Sequence, residues 1–137
     1  MILQIDEIAN SDVSDVIALW QRCELTRPWN EPQRDMEFAM KSENATVLVG
    51  KLESKIVASV MTGHDGHRGA IYYLAVDPEF QSEGHGRAIH NAAVAWLKAK
   101  GVWKINLMFR SENEKVRGFY ERLGYVANDV VSLGKTI

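Results

Sequence analysis

Cysteine is nearly absent. Cys23 stands alone in 137 residues, so no internal disulfide can form and no thiolate-rich metal cluster can be built. An excess of basic charge is missing too: 16 Lys and Arg face 18 Asp and Glu, for a formal net charge of -2, which argues against a basic stripe that would neutralise a nucleic-acid backbone. Although 46% of the residues are apolar, no apolar run approaches the roughly 20 residues of a bilayer crossing. The opening MILQIDEIAN has no basic n-region and puts two acids where a signal peptide keeps an apolar stretch, so a cytoplasmic location is expected and the Asn44-Ala45-Thr46 acceptor pattern carries no meaning. Only three prolines are present, and no repeat, low-complexity tract or Ser/Gly linker breaks the chain. A chain of this length removes about two-thirds of its extended surface from water, which is enough for one core; a single domain over residues 1–137 is expected.

What is there reads as alternating blocks. Ser11 suits a helix N-cap, and Val13, Val16, Ile17 and Trp20 follow the spacing of a helix with one buried face, ending near Cys23. Arg27-Pro28-Trp29-Asn30-Glu31-Pro32 cannot be helical throughout, but Pro32 suits the first turn of a second helix whose inward stripe is Met36, Ala39 and Met40. From Thr46 the period becomes two. Thr46–Leu52, Ile56–Met61 and Ala70–Val76 read as strands joined by turns at Glu53-Ser54-Lys55 and Asp65–Gly69. Past Gly84 a helical pattern returns with Ala88 or Ile89, Ala92, Ala93, Trp96 and Lys100, stopped by Gly101. A strand over Trp103–Phe109 follows, then a helix with Val116, Phe119, Tyr120 and Leu123 that opens on a Ser111/Glu114 capping box and stops at Gly124. A last strand is expected within Tyr125–Leu133. The class is α+β or mixed α/β, with a central, largely antiparallel sheet flanked by helices.

The stretch Leu74–Ala88 is the most informative. A strand runs into a loop whose Gly84 and Gly86 sit at the mouth of a helix, where several N–H groups converge beside the positive end of the helix dipole. That is an anion cradle, and a side chain at either glycine would hold a phosphate away from the amides. Two other phosphate motifs fail. Ala88 and Ile89 do not supply the third glycine of a dinucleotide fingerprint, and Asp129 stands where a P-loop ending in Gly134-Lys135-Thr136 needs its first glycine. The histidines at 64, 67, 85 and 90 never put two on one helical face with a carboxylate, so no metal site is expected.

These residues resemble a known family. Gln81-x-x-Gly84-x-Gly86 after the Leu74-Ala75-Val76-Asp77-Pro78 strand end is similar to the acyl-coenzyme-A signature of the GNAT superfamily of N-acetyltransferases, and Asn113 with Phe119-Tyr120-Glu121-Arg122-Leu123-Gly124-Tyr125 is similar to its second signature. The order of elements also fits that fold. More narrowly, Arg27-Pro28-Trp29-Asn30, Asp65–Gly69 and Tyr72-Tyr73-Leu74 resemble the small bacterial YpeA-type acetyltransferases.

The resemblance implies acetyl transfer from acetyl-CoA to a primary amine by direct attack in a ternary complex. The acceptor would be a small molecule or a protein N-terminus or lysine; neither nucleic acid, membrane nor metal is implied, and a homodimer is compatible. Amides of Gln81, Ser82, Glu83, Gly84, His85, Gly86 and Arg87 would hold the coenzyme A pyrophosphate, with Arg87 adding charge. A bulge in the signature strand would leave backbone groups of Leu74 and Val76 unpaired for the pantetheine arm, and the Leu74 N–H would stabilise the oxyanion. Tyr120 would be the general acid, and Asn113 would hold the pantetheine arm or a bridging water. Two departures stand out. Ala70 occupies the position where many relatives carry a glutamate, leaving Glu79, Asp65, His67 or a water chain as the base, and Glu83 puts an acid in the phosphate loop. The alternative is a coenzyme-binding module of the same fold with little or no turnover.

Overall fold

A computed structural model describes residues 2–137. They fall into two compact units, one running to Leu107 and the other from Met108 to Ile137. The first unit contains β1 (Gln4–Glu7), α1 (Val13–Arg22), α2 (Pro32–Lys41), β2 (Ala45–Leu52), β3 (Lys55–His64), β4 (Gly69–Val76), α3 (His85–Ala99) and β5 (Ile105–Asn106). The second contains α4 (Glu114–Arg122). The five strands form one sheet in sequence order, antiparallel from β1 to β4 and parallel between β4 and β5. The mixed, mostly antiparallel sheet expected from the sequence is therefore present.

Each sheet face has its own core. Val16, Leu19 and Trp20 of α1 and Met36 and Ala39 of α2 pack with Val47, Val49, Ile56, Met61 and Ala75 on one face. On the other face, Ile89 and Ala93 of α3 pack with Leu48, Ala58, Val60 and Ile71. The central strands are thus buried on both sides, which is why β3 reads as an almost continuous apolar run. A polar tie joins the first core to the sheet: the buried Trp20 indole N–H donates to Ser59 Oγ at 2.9 Å. Ser59→Ala should lower stability by about 1–3 kcal/mol, read as a shifted urea midpoint, because it strands that N–H. An unchanged midpoint would show that the indole finds another acceptor.

Several expected boundaries move. Ser11 is not the cap: a short 3-10 turn over Asn10–Asp12 precedes α1, and the Asp12 carboxylate accepts from the Ala9 N–H at 3.0 Å. Asp12 is buried and also pairs with Lys51 at 3.1 Å, so the better-placed acceptor wins. Pro32 does open α2. The buried stripe of α3 is His85, Ile89, His90, Ala93 and Leu97, while Trp96 sits at its flank and donates from Nε1 to Glu7 Oε1 at 3.2 Å. The Ser111/Glu114 box does not form. Asn113 caps α4 instead, its side-chain oxygen accepting from the Val116 N–H at 3.2 Å, as befits one of the best N-cap residues. Of the strand expected over 103–109, only Ile105 and Asn106 pair, and residues 125–133 form no ladder despite their branched side chains. Strand propensity without a partner does not make a strand.

Candidate active site

The site begins with a fault in register. Ala75 of β4 faces Ser59 of β3 and Tyr72 faces Met61, so Tyr73 and Leu74 together oppose the single residue between them, Val60. This is a β-bulge, as the resemblance implied. Tyr73 takes it up at φ +51, a left-handed conformation costing a non-glycine residue about 1–3 kcal/mol. Two contacts hold it there. Its ring lies on Trp20 at 4.0 Å between centroids and 8° between planes, and its hydroxyl donates to Asp35 Oδ2 at 2.8 Å. Burial, then the Asp35 carboxylate, raise the Tyr73 phenol well above its ordinary range, so it remains a donor.

The extra residue re-aims everything after it. Tyr73 and Ala75 join the α1/α2 core, with Tyr72 on the same face through its partner Met61, whereas Leu74 and Val76 turn to the α3 side with Ile71. Because β5 pairs only with Gly69 and Ala70, β4 has no strand partner on that edge from Ile71 onward among the described residues. Leu74 has no partner in the β3 register either. Val76 differs from expectation. Its carbonyl is not unpaired, since it accepts from the Cys23 thiol at 3.3 Å and from Gln81 Nε2 at 3.0 Å. Burial, then the Asp77 carboxylate, raise the Cys23 thiol, which leaves it a poor nucleophile.

Asp77 fixes the exit from the strand. It is buried and takes Arg22 on Oδ2 at 2.9 Å and the Glu79 N–H on Oδ1 at 3.0 Å, while its own N–H donates to the Val57 carbonyl at 2.8 Å. The chain then passes through Gln81, Ser82 at φ +66, an exposed Glu83 and Gly84 at φ +88, which is the N-cap of α3. The helix ladder starts with Ala88 N–H to Gly84 O at 3.1 Å, so the amides of His85, Gly86 and Arg87 precede it and project from the helix start. Nothing lies within 4 Å of where a Gly84 Cβ would be, so this glycine serves conformation, not clearance. His85 is 8% exposed, and its buried Nε2 has no hydrogen-bond partner. A cradle of free amides at a helix start suits a polyanionic ligand. Arg87 is exposed and Glu83 faces solvent, so the acid in the loop is hydrated.

In the second unit, Tyr120 lies on α4 and is 8% exposed. It meets Phe119 and Tyr125 edge to face at 5.1 and 5.4 Å and is nearly parallel to Phe109 at 6.1 Å. Burial, then Tyr125, push its phenol up to about 12. Asn113 commits one acceptor position of its side-chain oxygen to the helix cap, which leaves the second lone pair and its amide hydrogens for any ligand.

The candidate bases fare poorly. Asp65 accepts from the His67 and Arg68 N–H groups, both at 2.8 Å, and these bonds hold its exposed carboxyl below the usual range, as a turn cap requires. Glu79 is exposed beside Lys55 at 3.9 Å, and His67 is exposed. Among the described residues, no three His, Cys, Asp or Glu side chains gather as metal ligands, and no helix is long and apolar enough to cross a membrane.

Residues 13–125, which include the bulge, the glycine loop and α4, match the sequence model of the acetyltransferase (GNAT) family. The chain belongs to that family. Solved structures share its fold. AAC(6')-Iy in complex with the bisubstrate analog CoA-S-monomethyl-acetylneamine superposes with a TM-score of 0.84 at 14% identity, covering 100% of this chain and 99% of that one. The ribosomal-protein-S18-alanine N-acetyltransferase from Escherichia coli gives 0.76 at 22% identity over 90% and 77% of the two chains. A predicted acetyltransferase from Clostridium acetobutylicum, solved with acetyl-CoA, gives 0.79 at 14% over 97% and 96%. At these identities the likeness is one of fold. The chemistry of this GNAT member is accordingly acyl transfer.

Two residues of the site escaped sequence reasoning. Asp77 enters the sequence reading only as part of the strand-end motif and Asp35 not at all; their partners Arg22 and Tyr73 lie far along the chain, where no local pattern reaches.

Proposed function

We propose that the protein transfers an acetyl group from acetyl-CoA to a primary amine by direct attack in a ternary complex. The bulge at Tyr73–Leu74, which frees one strand edge immediately before a glycine loop and a helix start, carries this reading. Amides of residues 81–87 would hold the pyrophosphate at the positive end of the 15-residue α3, and Gly84, at positive φ as its N-cap, suits that role. The Leu74 N–H would face the thioester carbonyl and stabilise its developing negative charge, a donor worth about 3 kcal/mol in comparable sites.

The amine nitrogen forms a bond to the acetyl carbon, the carbon–sulfur bond breaks, the amine gives its proton to water and Tyr120 gives one to the departing thiolate. A phenol raised to about 12 suits the acid role, because it arrives protonated at any physiological pH. With Ala70 where a carboxylate is common, and Asp65 committed to its turn, deprotonation of the amine falls to solvent. The acceptor would be a small amine or a protein N-terminus or lysine. The AAC(6')-Iy and S18-alanine enzymes show this fold beside both kinds.

A panel of primary amines assayed for coenzyme A release tests the reading. Thiol release with at least one amine, rising with pH as the amine loses its proton, is the expected result. Thermal stabilisation by acetyl-CoA with no thiol from any amine would favour a binding module instead.

A further inference from the structure

Asp35 lies half-buried in the first turn of α2, and its place is over-determined. The Tyr73 hydroxyl donates to its Oδ2 at 2.8 Å, the Tyr73 ring lies on Trp20, and Trp20 is pinned by Ser59. The carboxylate is therefore fixed by side chains from α1, β3 and β4 rather than free to swing. Beyond that bond and its place in the first helical turn it has no ion pair: among the described residues no basic side chain pairs with it, although Glu31 one turn earlier has Arg34 at 3.2 Å and Asp77 has Arg22. An ionised carboxylate has about four acceptor positions, and a half-buried one normally finds a cation or several donors.

The surroundings suit a cation. Tyr72, which the bulge leaves on the same sheet face as Tyr73, is 47% exposed, and Phe38, three residues after Asp35 on α2, is 80% exposed. A fixed carboxylate with an exposed aromatic ring one turn along the same helix recognises an ammonium by charge-assisted hydrogen bonds and by attraction to the ring. Arg22 and Lys51 are already engaged with Asp77 and Asp12.

We infer that Asp35 anchors a second, non-reacting ammonium group of the acceptor, so that the preferred acceptor carries two amines. The attacking nitrogen must be neutral and must reach the carbonyl held at Leu74. Asp35 stands at the opposite end of the Tyr73 side chain from that backbone, so the charge it holds belongs to a different nitrogen. This assignment rests on the acetyl transfer proposed above. Asp35 makes no contact with the reacting atoms; it selects and positions the acceptor.

The test uses 1,4-diaminobutane and butylamine as probes, with thiol release for turnover and calorimetric titration for binding. In the wild type the diamine should have a KM and a Kd about tenfold or more below those of the monoamine. Asp35→Asn keeps an oxygen to accept the Tyr73 hydroxyl but removes the charge, so it should erase that preference, raising the KM and Kd of the diamine to those of the monoamine. Tyr73→Phe removes the bond but keeps the charge and should retain the preference; a purely structural Asp35 would give the reverse pattern. No preference in the wild type, or an equal preference in Asp35→Asn, would overturn the anchor. If acetyl-CoA neither binds nor turns over while the diamine still binds in an Asp35-dependent way, the proposed reaction falls and the cation site stands.

Discussion

Tyr120→Phe should lower kcat by about 10²- to 10³-fold, with the KM for acetyl-CoA within about threefold of the wild type. Phenylalanine fills the same buried space among Phe109, Phe119 and Tyr125, so only the hydroxyl is lost and the cost to stability should stay near 1 kcal/mol. The pH profile sharpens the test. A phenol at about 12 is protonated throughout the working range, so the wild-type rate should climb with the deprotonation of the acceptor and show no descending limb below pH 10. The sign for stability follows from the same shift: ionisation is disfavoured in the folded state, so this contribution is intact below about pH 10 and is lost as pH rises through 12. An undiminished kcat in the variant would remove Tyr120 from the mechanism and leave the thiolate to depart unprotonated.

Gly86→Leu should weaken acetyl-CoA binding by about 100-fold or more while the fold survives. Gly86 is the second residue of α3, ahead of the first ladder bond at Ala88, and leucine is the better helix former by nearly 1 kcal/mol. Stability should therefore hold or rise. The isobutyl group would stand over amides that a pyrophosphate must approach to within hydrogen-bond distance, and several charge-assisted bonds would be lost together. Calorimetric titration, and the melting-temperature shift at saturating ligand, read the loss directly. Retained affinity would move the phosphate site away from the start of α3.

Particular residues show how far the chain discloses itself. Pro32 announced the second helix because its fixed φ suits a first turn, and short apolar, branched runs bounded by turn residues announced β2 to β4, although β2 and β3 are buried on both faces and so do not alternate. Gly84 and Gly101 sit at positive φ at the two ends of α3, where only the missing Cβ makes the conformation cheap. Tyr73 gave no such sign. A tyrosine at φ +51 is against its propensity and is sustained by Trp20 and Asp35, contacts made across long stretches of sequence. The bulge was thus legible through family likeness and invisible to local pattern. Asn113 and Ser111 both favour a helix cap, and which of them wins depends on where the preceding turn delivers the chain. Residues 125–133 failed as a strand for a related reason, since branched side chains prefer extended backbone but cannot provide the neighbour that a ladder needs.

The doubly occupied carbonyl of Val76 changes what arrival at this edge means. Any incoming N–H that seeks that oxygen must evict the Gln81 carboxamide or the Cys23 thiol, so the step trades one bond for another and its net gain there is small. In the proposed complex, affinity along the strand would then come from the phosphate end, and a truncated thioester without its nucleotide should be held only weakly.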